Sequence, residues 1–454
     1  MAGLLVIGLG TSIGPLDSAV NIAFPHITGA FGQPLAMIQW VVICYVLTYA
    51  SLMLVFGKLG DMFGYRRIFS AGLVLSIGAL TLCALAPSFA WLLFFRALQG
   101  VGTALVLSCG PALATAGFPE QRRARIVAAY TMMFAVASAV GPSFGGVLVQ
   151  AFGWQAVFWF RVPISLAALA LLGFVARVDM PPNTRPFDGL GALLLVASLV
   201  AMLLGLNMAR PEGGGAVAAA GLGLLALLGF LGFLWRERNY AEPLIRLGPF
   251  RSVEFCLLNL ASIAVYLVNF AVLLLVPYYL DRLTDLSVGV SGLVLAAGYA
   301  GAVLAAPLGG RLAPRLGSGC IAFAGLLLVA FGTVLIGYWR TDTPLGLMLV
   351  GLLVSGVGLG FFQVAYMDRV IGHLPREERG VAGSLTMLTR TVGTVTGVTV
   401  LTISFEALNR AGLAAGDTAA ASFVAGFQTT FLYAGWGLAA FLALSLLRPR
   451  TWFG

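Results

Sequence analysis

Long apolar runs separated by short polar breaks recur along the whole chain. Runs of about 18 to 25 residues match an α-helix that crosses roughly 30 Å of hydrocarbon at 1.5 Å per residue. The pattern predicts six spans at 3–26, 36–57, 68–86, 90–117, 124–150 and 155–176, a pair at 188–208 and 215–235, and six more at 253–280, 289–310, 319–338, 345–369, 381–405 and 427–447. Helices are required because a lipid-exposed backbone must satisfy its own hydrogen bonds, and the alternating strands of a membrane barrel would not give unbroken apolar runs of this length. The expected fold is an all-α integral membrane protein: two six-helix bundles as pseudo-symmetric halves, an inserted pair of helices, and about 14 transmembrane helices in total.

Charge orients these spans. Of 26 Lys and Arg residues, 19 fall in one set of alternate segments and four (Arg210, Arg282, Arg340 and Arg410) in the other, leaving Arg96, Arg161 and Arg390 inside spans. The basic-rich side is cytoplasmic, so both termini face the cytoplasm and the expected location is the cell (inner) membrane. Composition agrees, since 60% hydrophobic and 9% charged residues exceed what a soluble core conceals. The net charge of +9 is spread over many loops, which argues for membrane lipids and against nucleic acid as a partner. Cys44, Cys83, Cys109, Cys256 and Cys320 all lie in or beside apolar spans without a CxxC pair, so free thiols are expected. The first run has no basic leader and contains Asp17, the mark of a retained helix and not of a cleaved signal.

The second half echoes the first. Gly57, Leu59 and Gly64 of "GKLGDMFG" recur 253 residues later as Gly310, Leu312 and Gly317 of "GRLAPRLG", and "GVGTA" at Gly100 recurs as "GVGLG" at Gly356 after 256 residues. Polar, proline-bearing linkers flank the inserted pair, which sets expected boundaries at 1–180, 181–250 and 251–454. The stretch "ALNRAGLAAGDTAAASFVAGFQ" before the last span reads as an extracytoplasmic surface loop or short interfacial helix.

Three motifs carry a family resemblance. "GKLGDMFGYRR" resembles the signature loop of the major facilitator superfamily through Gly57, Leu59, Asp61, Gly64, Arg66 and Arg67. The resemblance implies a conformational latch, in which the aspartate meets a helix N-terminus of the opposite half and the arginines tie neighbouring helices; an anion at such a terminus gains about 0.3 to 1 kcal/mol. "RALQGVGTA" resembles the family's fourth-helix motif through Arg96, Gln99, Gly100 and Gly102. "GPSFGG" resembles an antiporter-associated motif through Gly141, Pro142, Gly145 and Gly146, where a proline kink and close glycine packing suit a pivot. "LDSAVNIAFP" and "QWVVICYVLTYA" are similar to the fourteen-helix drug/proton antiporter branch.

Charges inside the spans are the candidate chemistry. Asp17 lies about 21 Å from the cytoplasmic boundary and roughly 9 Å from the outer one, and Arg96 lies about 9 Å below the outer side, so the two share a level. A lone charge there costs several kcal/mol and must find a partner or water. Asp17 is therefore the candidate proton-coupling residue with Arg96 as its partner; the alternative is a permanent structural ion pair. Arg161 stands in "FWFRVP", where the resembled family has asparagine; it either snorkels to the interface or brings positive charge to a cavity. Arg390 is assigned a structural or gating role. Glu254, Asp281, Asp368 and Glu406 fall near span ends.

Asn21, Trp40, Tyr45, Gln99, Tyr130, Phe134, Tyr266, Phe270, Phe362, Gln363 and Tyr366 are candidates, with Arg161, for lining a substrate cavity. The expected activity is proton-coupled export, by antiport and alternating access, of a lipophilic or amphipathic small molecule. An exporter or flippase of an anionic or lipid-like substrate is the alternative, and an intramembrane enzyme a remote one. No enzyme is expected: the only histidines, His26 and His373, lie on opposite sides, and no HExxH or phosphate-binding GxxxxGK[ST] loop occurs. Neither cofactor nor metal is expected, the proton gradient is the energy source, and the chain is expected to act as a monomer.

Overall fold

The computed structural model describes residues 2–116, 120–175, 188–208, 215–240, 248–373 and 381–453, and their regular structure is entirely helical. The first span is α1 (Ala2–Thr11), a 3-10 turn Pro15–Ser18, α2 (Ala19–Ile22) and α3 (Phe24–Ala30). Next come α4 (Gln39–Phe63), α5 (Tyr65–Ala84), α6 (Phe89–Ala116) and α7 (Glu120–Phe152), then a sixth span made of α8 (Ala156–Trp159) and α9 (Arg161–Ala170). The inserted pair is α10 (Gly189–Met208) and α11 (Ala216–Asn239). The last group is α12 (Val253–Leu283), α13 (Val288–Leu316), α14 (Ser318–Gly337), α15 (Leu345–His373), α16 (Val381–Ala414) and α17 (Ala419–Ser445), closed by the short α18 (Arg450–Phe453). Thirteen helical stretches among the described residues are long and apolar enough to cross a membrane, so the protein is a multi-pass membrane protein of the inner membrane. The fourteenth expected span is α10, whose apolar stretch Gly189–Met202 falls short of that length. The expected boundary at 180/181 lies outside the described residues, and the one at 250/251 falls in the Gly248–Arg251 turn.

Two expectations change. The first span is not one helix over 3–26: Pro15 and Pro25 each remove a backbone donor, and the chain passes through a 3-10 turn and a break at Ala23 before resuming. The surface loop before the last span shrinks to 415–418, because its Ala-rich flanks extend α16 to Ala414 and start α17 at Ala419, capped by the Thr418 hydroxyl accepting from the Ala421 amide.

The repeat read from glycines has a structural counterpart. Gly64 ends α4 at φ 91° and ψ 126°, and Gly317 ends α13 at φ 85° and ψ 136°, each sending its amide to the carbonyl four residues back. A Cβ on Gly100 would stand 2.8 Å from the Tyr45 carbonyl oxygen, and one on Gly356 would strike the carbonyl of Gly298, the position 253 residues beyond Tyr45. Likewise Gly102 meets Ser76 at 2.6 Å and Gly358 meets Val329 at 2.6 Å, again partners 253 apart. Small residues thus let equivalent helices of each group approach to backbone contact.

On the side away from the basic loops the two groups are joined. The Tyr278 hydroxyl of α12 donates to Thr28 Oγ1 of α3 at 3.2 Å, and the Gly289 amide of α13 donates to Gln150 Oε1 of α7 at 3.0 Å. Gly146 and Gly292 bring α7 and α13 together, a Cβ on either falling 3.0 Å from the other's Cα. At positive φ any side chain is strained, so Gly64→Ala and Gly317→Ala are each expected to cost about 1 to 3 kcal/mol. Gly57→Ala, in open helical space, is expected to be neutral or slightly stabilising. Thermal unfolding of the three purified variants in detergent checks the contrast.

Candidate functional site

Pro142 removes a donor from the middle of α7, which leaves the Ser138 carbonyl, four residues back, without its helical partner. The Ser18 hydroxyl fills that vacancy at 3.0 Å and also reaches the Pro15 carbonyl at 2.9 Å. Gly141 and Gly145 allow the contact, since a Cβ on Gly145 would stand 2.8 Å from that of Ala19. The broken first span is therefore seated on the bend of α7, with Asp17 at the break.

Asp17 accepts four hydrogen bonds. Arg96 of α6 donates from both terminal nitrogens, Nη1 to Oδ1 at 2.6 Å and Nη2 to Oδ2 at 2.8 Å; Arg161 of α9 gives Nη1 to Oδ1 at 2.7 Å, and Gln99 gives Nε2 to Oδ1 at 3.1 Å. Arg96 is further fixed by the Val41 carbonyl at 2.9 Å, by Gln99 Oε1 at 2.8 Å and by the Tyr45 ring, 4.3 Å from its Cζ. Arg161 Nε donates to the Val157 carbonyl at 3.0 Å, where α8 and α9 part, while its Nη2 is buried and has no partner among the described residues. Arg161 therefore does not snorkel. It is 0% exposed and Arg96 1%, whereas Asp17 keeps 13%, so the acid is the reachable member. One carboxylate between two guanidinium groups leaves the cluster a net positive charge.

A second polar group lies where the two helix groups meet. Asn21 of α2 donates to the Tyr299 hydroxyl of α13 at 3.3 Å, Gln363 of α15 donates to the Tyr266 hydroxyl of α12 at 2.9 Å, and Arg390 of α16 sets its Cζ 5.4 Å from the Tyr266 ring. Tyr45 and Tyr49 of α4 set their rings 5.1 Å apart at an interplanar angle of 56°.

The whole chain adopts the fold of solved carriers. A bacterial homolog of the human lysosomal transporter Spinster, in an inward-facing unoccupied conformation, aligns over 99% of this chain and 96% of its own with a TM-score of 0.71 at 18% identity. A POT family transporter in complex with a thioalcohol conjugated peptide aligns over 99% and 96% with a TM-score of 0.74 at 14% identity. At the sequence level the Major Facilitator Superfamily model matches residues 1–398. The chain belongs to the major facilitator superfamily. Among its curated relatives, the riboflavin transporter RibZ of Clostridioides difficile is 30% identical over 384 residues, covering 84% of this chain and 83% of the relative. The tetracenomycin C resistance and export protein of Streptomyces glaucescens is 32% identical over 404 residues, covering 88% and 74%. The multidrug transporter protein MdtP of Bacillus subtilis is 27% identical over 386 residues, covering 84% and 71%.

The superfamily loop has its sharp reversal at Gly64, and Arg66 Nη1 holds the Val175 carbonyl at 3.1 Å, tying α5 to the end of the sixth span. Arg67 is exposed, and the Asp61 side chain lies outside the described residues. The cavity candidates separate. Asn21, Tyr45, Gln99, Arg161, Tyr266 and Gln363 join the two polar groups. Phe270, Phe362 and Tyr366 are fully buried, the last two as a stacked pair 5.5 Å apart. Tyr366 also donates to Asn259 Oδ1 at 2.9 Å inside the second helix group. Trp40, Tyr130 and Phe134 are partly buried at the margins, Tyr130 beside Gly110. Asp368 is exposed and accepts from the Ser318 hydroxyl. Sequence reasoning missed Ser18, Tyr49 and Tyr299; the proline four residues after Ser138 signals an orphan carbonyl but names no donor.

Removing one partner of a buried ion pair costs about 3 to 5 kcal/mol. Arg96→Asn is expected to fall in that range, and Arg161→Asn below it, because Arg96 remains on both carboxylate oxygens. Ser18→Ala, which strands the Ser138 carbonyl, is expected to cost about 1 to 3 kcal/mol. Thermal unfolding ranks the three.

Proposed function

We propose that the chain is a proton-coupled exporter, an antiporter of the fourteen-helix drug/proton branch of its superfamily, moving a lipophilic or amphipathic small molecule by alternating access. Residues 1–180 and 251–454 act as the two rocking halves and 181–250 as the insertion; the chain works as a monomer, without a cofactor, on the proton gradient. The observation that carries this reading is the reachable carboxylate of Asp17, held by four donors on the broken part of the first span. That segment rides on α7, which also packs on α13 across the outer closure, so parting of α7 from α13 loosens, within the first half, the seat that holds Asp17 against α6 and α9. When either guanidinium withdraws, the carboxylate loses the charge that compensates it in a poorly polar interior, and a proton is the replacement. Return of the arginines expels that proton to the side then open.

The relatives named as resistance, export and multidrug proteins support export of small amphipathic compounds. An apolar cleft of about 560 Å³ between the first span, α7 and α9, lined by Leu9, Leu16, Met132, Phe144, Phe160 and Ile164, supports entry of a lipophilic solute from the bilayer.

The test is transport into proteoliposomes of neutral, anionic and cationic aromatic fluorophores under an imposed pH step. The wild type is expected to accumulate at least one of them against its gradient as protons run the other way. Asp17→Asn is expected to keep downhill exchange and lose accumulation; accumulation equal to the wild type would refute the coupling role.

A further inference from the structure

We infer that Arg390 is the receptor for an acidic group on the substrate, and that the solute carried is an aromatic or aryl-bearing anion, such as an aryl carboxylate. The inference rests on the carrier reading above and assigns its substrate class.

Arg390 lies well inside α16 and is partly exposed, although it stands where the two helix groups meet. No acidic residue occurs over 39–60, 255–280, 288–316, 345–367 or 385–405, the stretches of α4, α12, α13, α15 and α16 that surround the interface. The one acid at that depth is Asp17, whose two oxygens are already taken by Arg96, Arg161 and Gln99. Among the described residues Arg390 therefore has an aromatic ring and no carboxylate beside it. A guanidinium inside a membrane protein requires an anion or water, and a planar five-donor fork fits carboxylate, phosphate or sulfonate oxygens in pairs.

The surroundings specify what the anion is attached to. Tyr266 of α12 lies 5.4 Å from the Arg390 Cζ, Tyr299 of α13 bonds Asn21 across the two halves, and the Tyr45–Tyr49 pair stands on α4, so an aryl group meets an aromatic lining drawn from both halves. Gln363 and Asn21 donate to the Tyr266 and Tyr299 hydroxyls, which leaves both phenols free to give their own protons to an acceptor. The ring of donors faces an acceptor-rich ligand. A cationic solute would meet three guanidinium groups against one carboxylate.

Three probes that share one ring system separate the contributions: naphthoate, naphthamide and naphthylmethylammonium, titrated by calorimetry against the purified full chain with no pH gradient. Naphthoate is expected to bind at least about tenfold more tightly than naphthamide, the value of one charge-assisted pair, with the ammonium weakest. Arg390→Gln is expected to bring naphthoate down to the naphthamide level while naphthamide binding stays unchanged, and Arg390→Lys to restore part of the difference. A melting temperature of Arg390→Gln matching the wild type makes the comparison one of binding, and unchanged naphthamide binding gives the same assurance if the melt shifts. The inference is overturned if the ammonium binds best, if Arg390→Gln leaves naphthoate affinity intact, or if phosphatidylglycerol in the micelle competes naphthoate away, which would make the site one for a lipid headgroup. Because no gradient is used, failure here leaves the coupling role of Asp17 standing, and failure of that role leaves this result readable.

Discussion

A carboxylate facing two guanidinium groups in a low-dielectric interior is held by an attraction that neither the side chains nor the bilayer can replace cheaply. In this carrier that meeting fixes the geometry of four spans at once. The first contributes Asp17 from a stretch that two prolines have broken, the second lends the Val41 carbonyl, the fourth supplies Arg96 and Gln99, and the sixth brings Arg161 from the parting of α8 and α9. Backbone carbonyls beside the breaks are taken up by side chains, Val157 by Arg161 and Ser138 by Ser18. Irregular backbone at membrane depth is tolerated for that reason, buried in protein and satisfied by side chains.

Much of this was legible before any coordinates. Span positions follow from the length of apolar runs, and the pairing of Asp17 with Arg96 follows from counting rise along two helices of opposite direction. The paired glycines at nearly one offset read as a repeat because a position that needs positive φ or backbone contact admits little else, and Gly64 with Gly317 and Gly100 with Gly356 meet those needs. The parts that were not legible are those that depend on three-dimensional neighbours. Nothing in "FWFRVP" tells whether an arginine reaches outward to water or inward to an acid, since both are open to a long side chain at that depth. The excess of three intramembrane arginines over one acid was visible, yet which of them would be left over required the distances. Helix 1 misled for a different reason: apolar content measures burial in lipid and is blind to whether the backbone is continuous.

Aromatic residues illustrate the same limit. Tyr266 of α12 and Tyr366 of α15 look alike in sequence; Tyr366 is locked into a buried polar set with Asn259 and Thr389, while Tyr266 lies at the interface beside Arg390. For Tyr266 and Tyr366 the hydroxyl's partner is supplied by a different helix, Gln363 of α15 for the one and Asn259 of α12 for the other.

The inserted helices α10 and α11 bear on this in a way that their composition alone hides. α10 packs on α4 and on α16, one from each of the groups that flank it, and the pair is built mainly of leucine, alanine and glycine, with an ion pair, Asp188 to Arg236 at 3.0 Å, between its own members. A leucine-rich face of this kind covers the seam between α4 and α16 chiefly through non-directional contact, which weakens gradually as two surfaces shift.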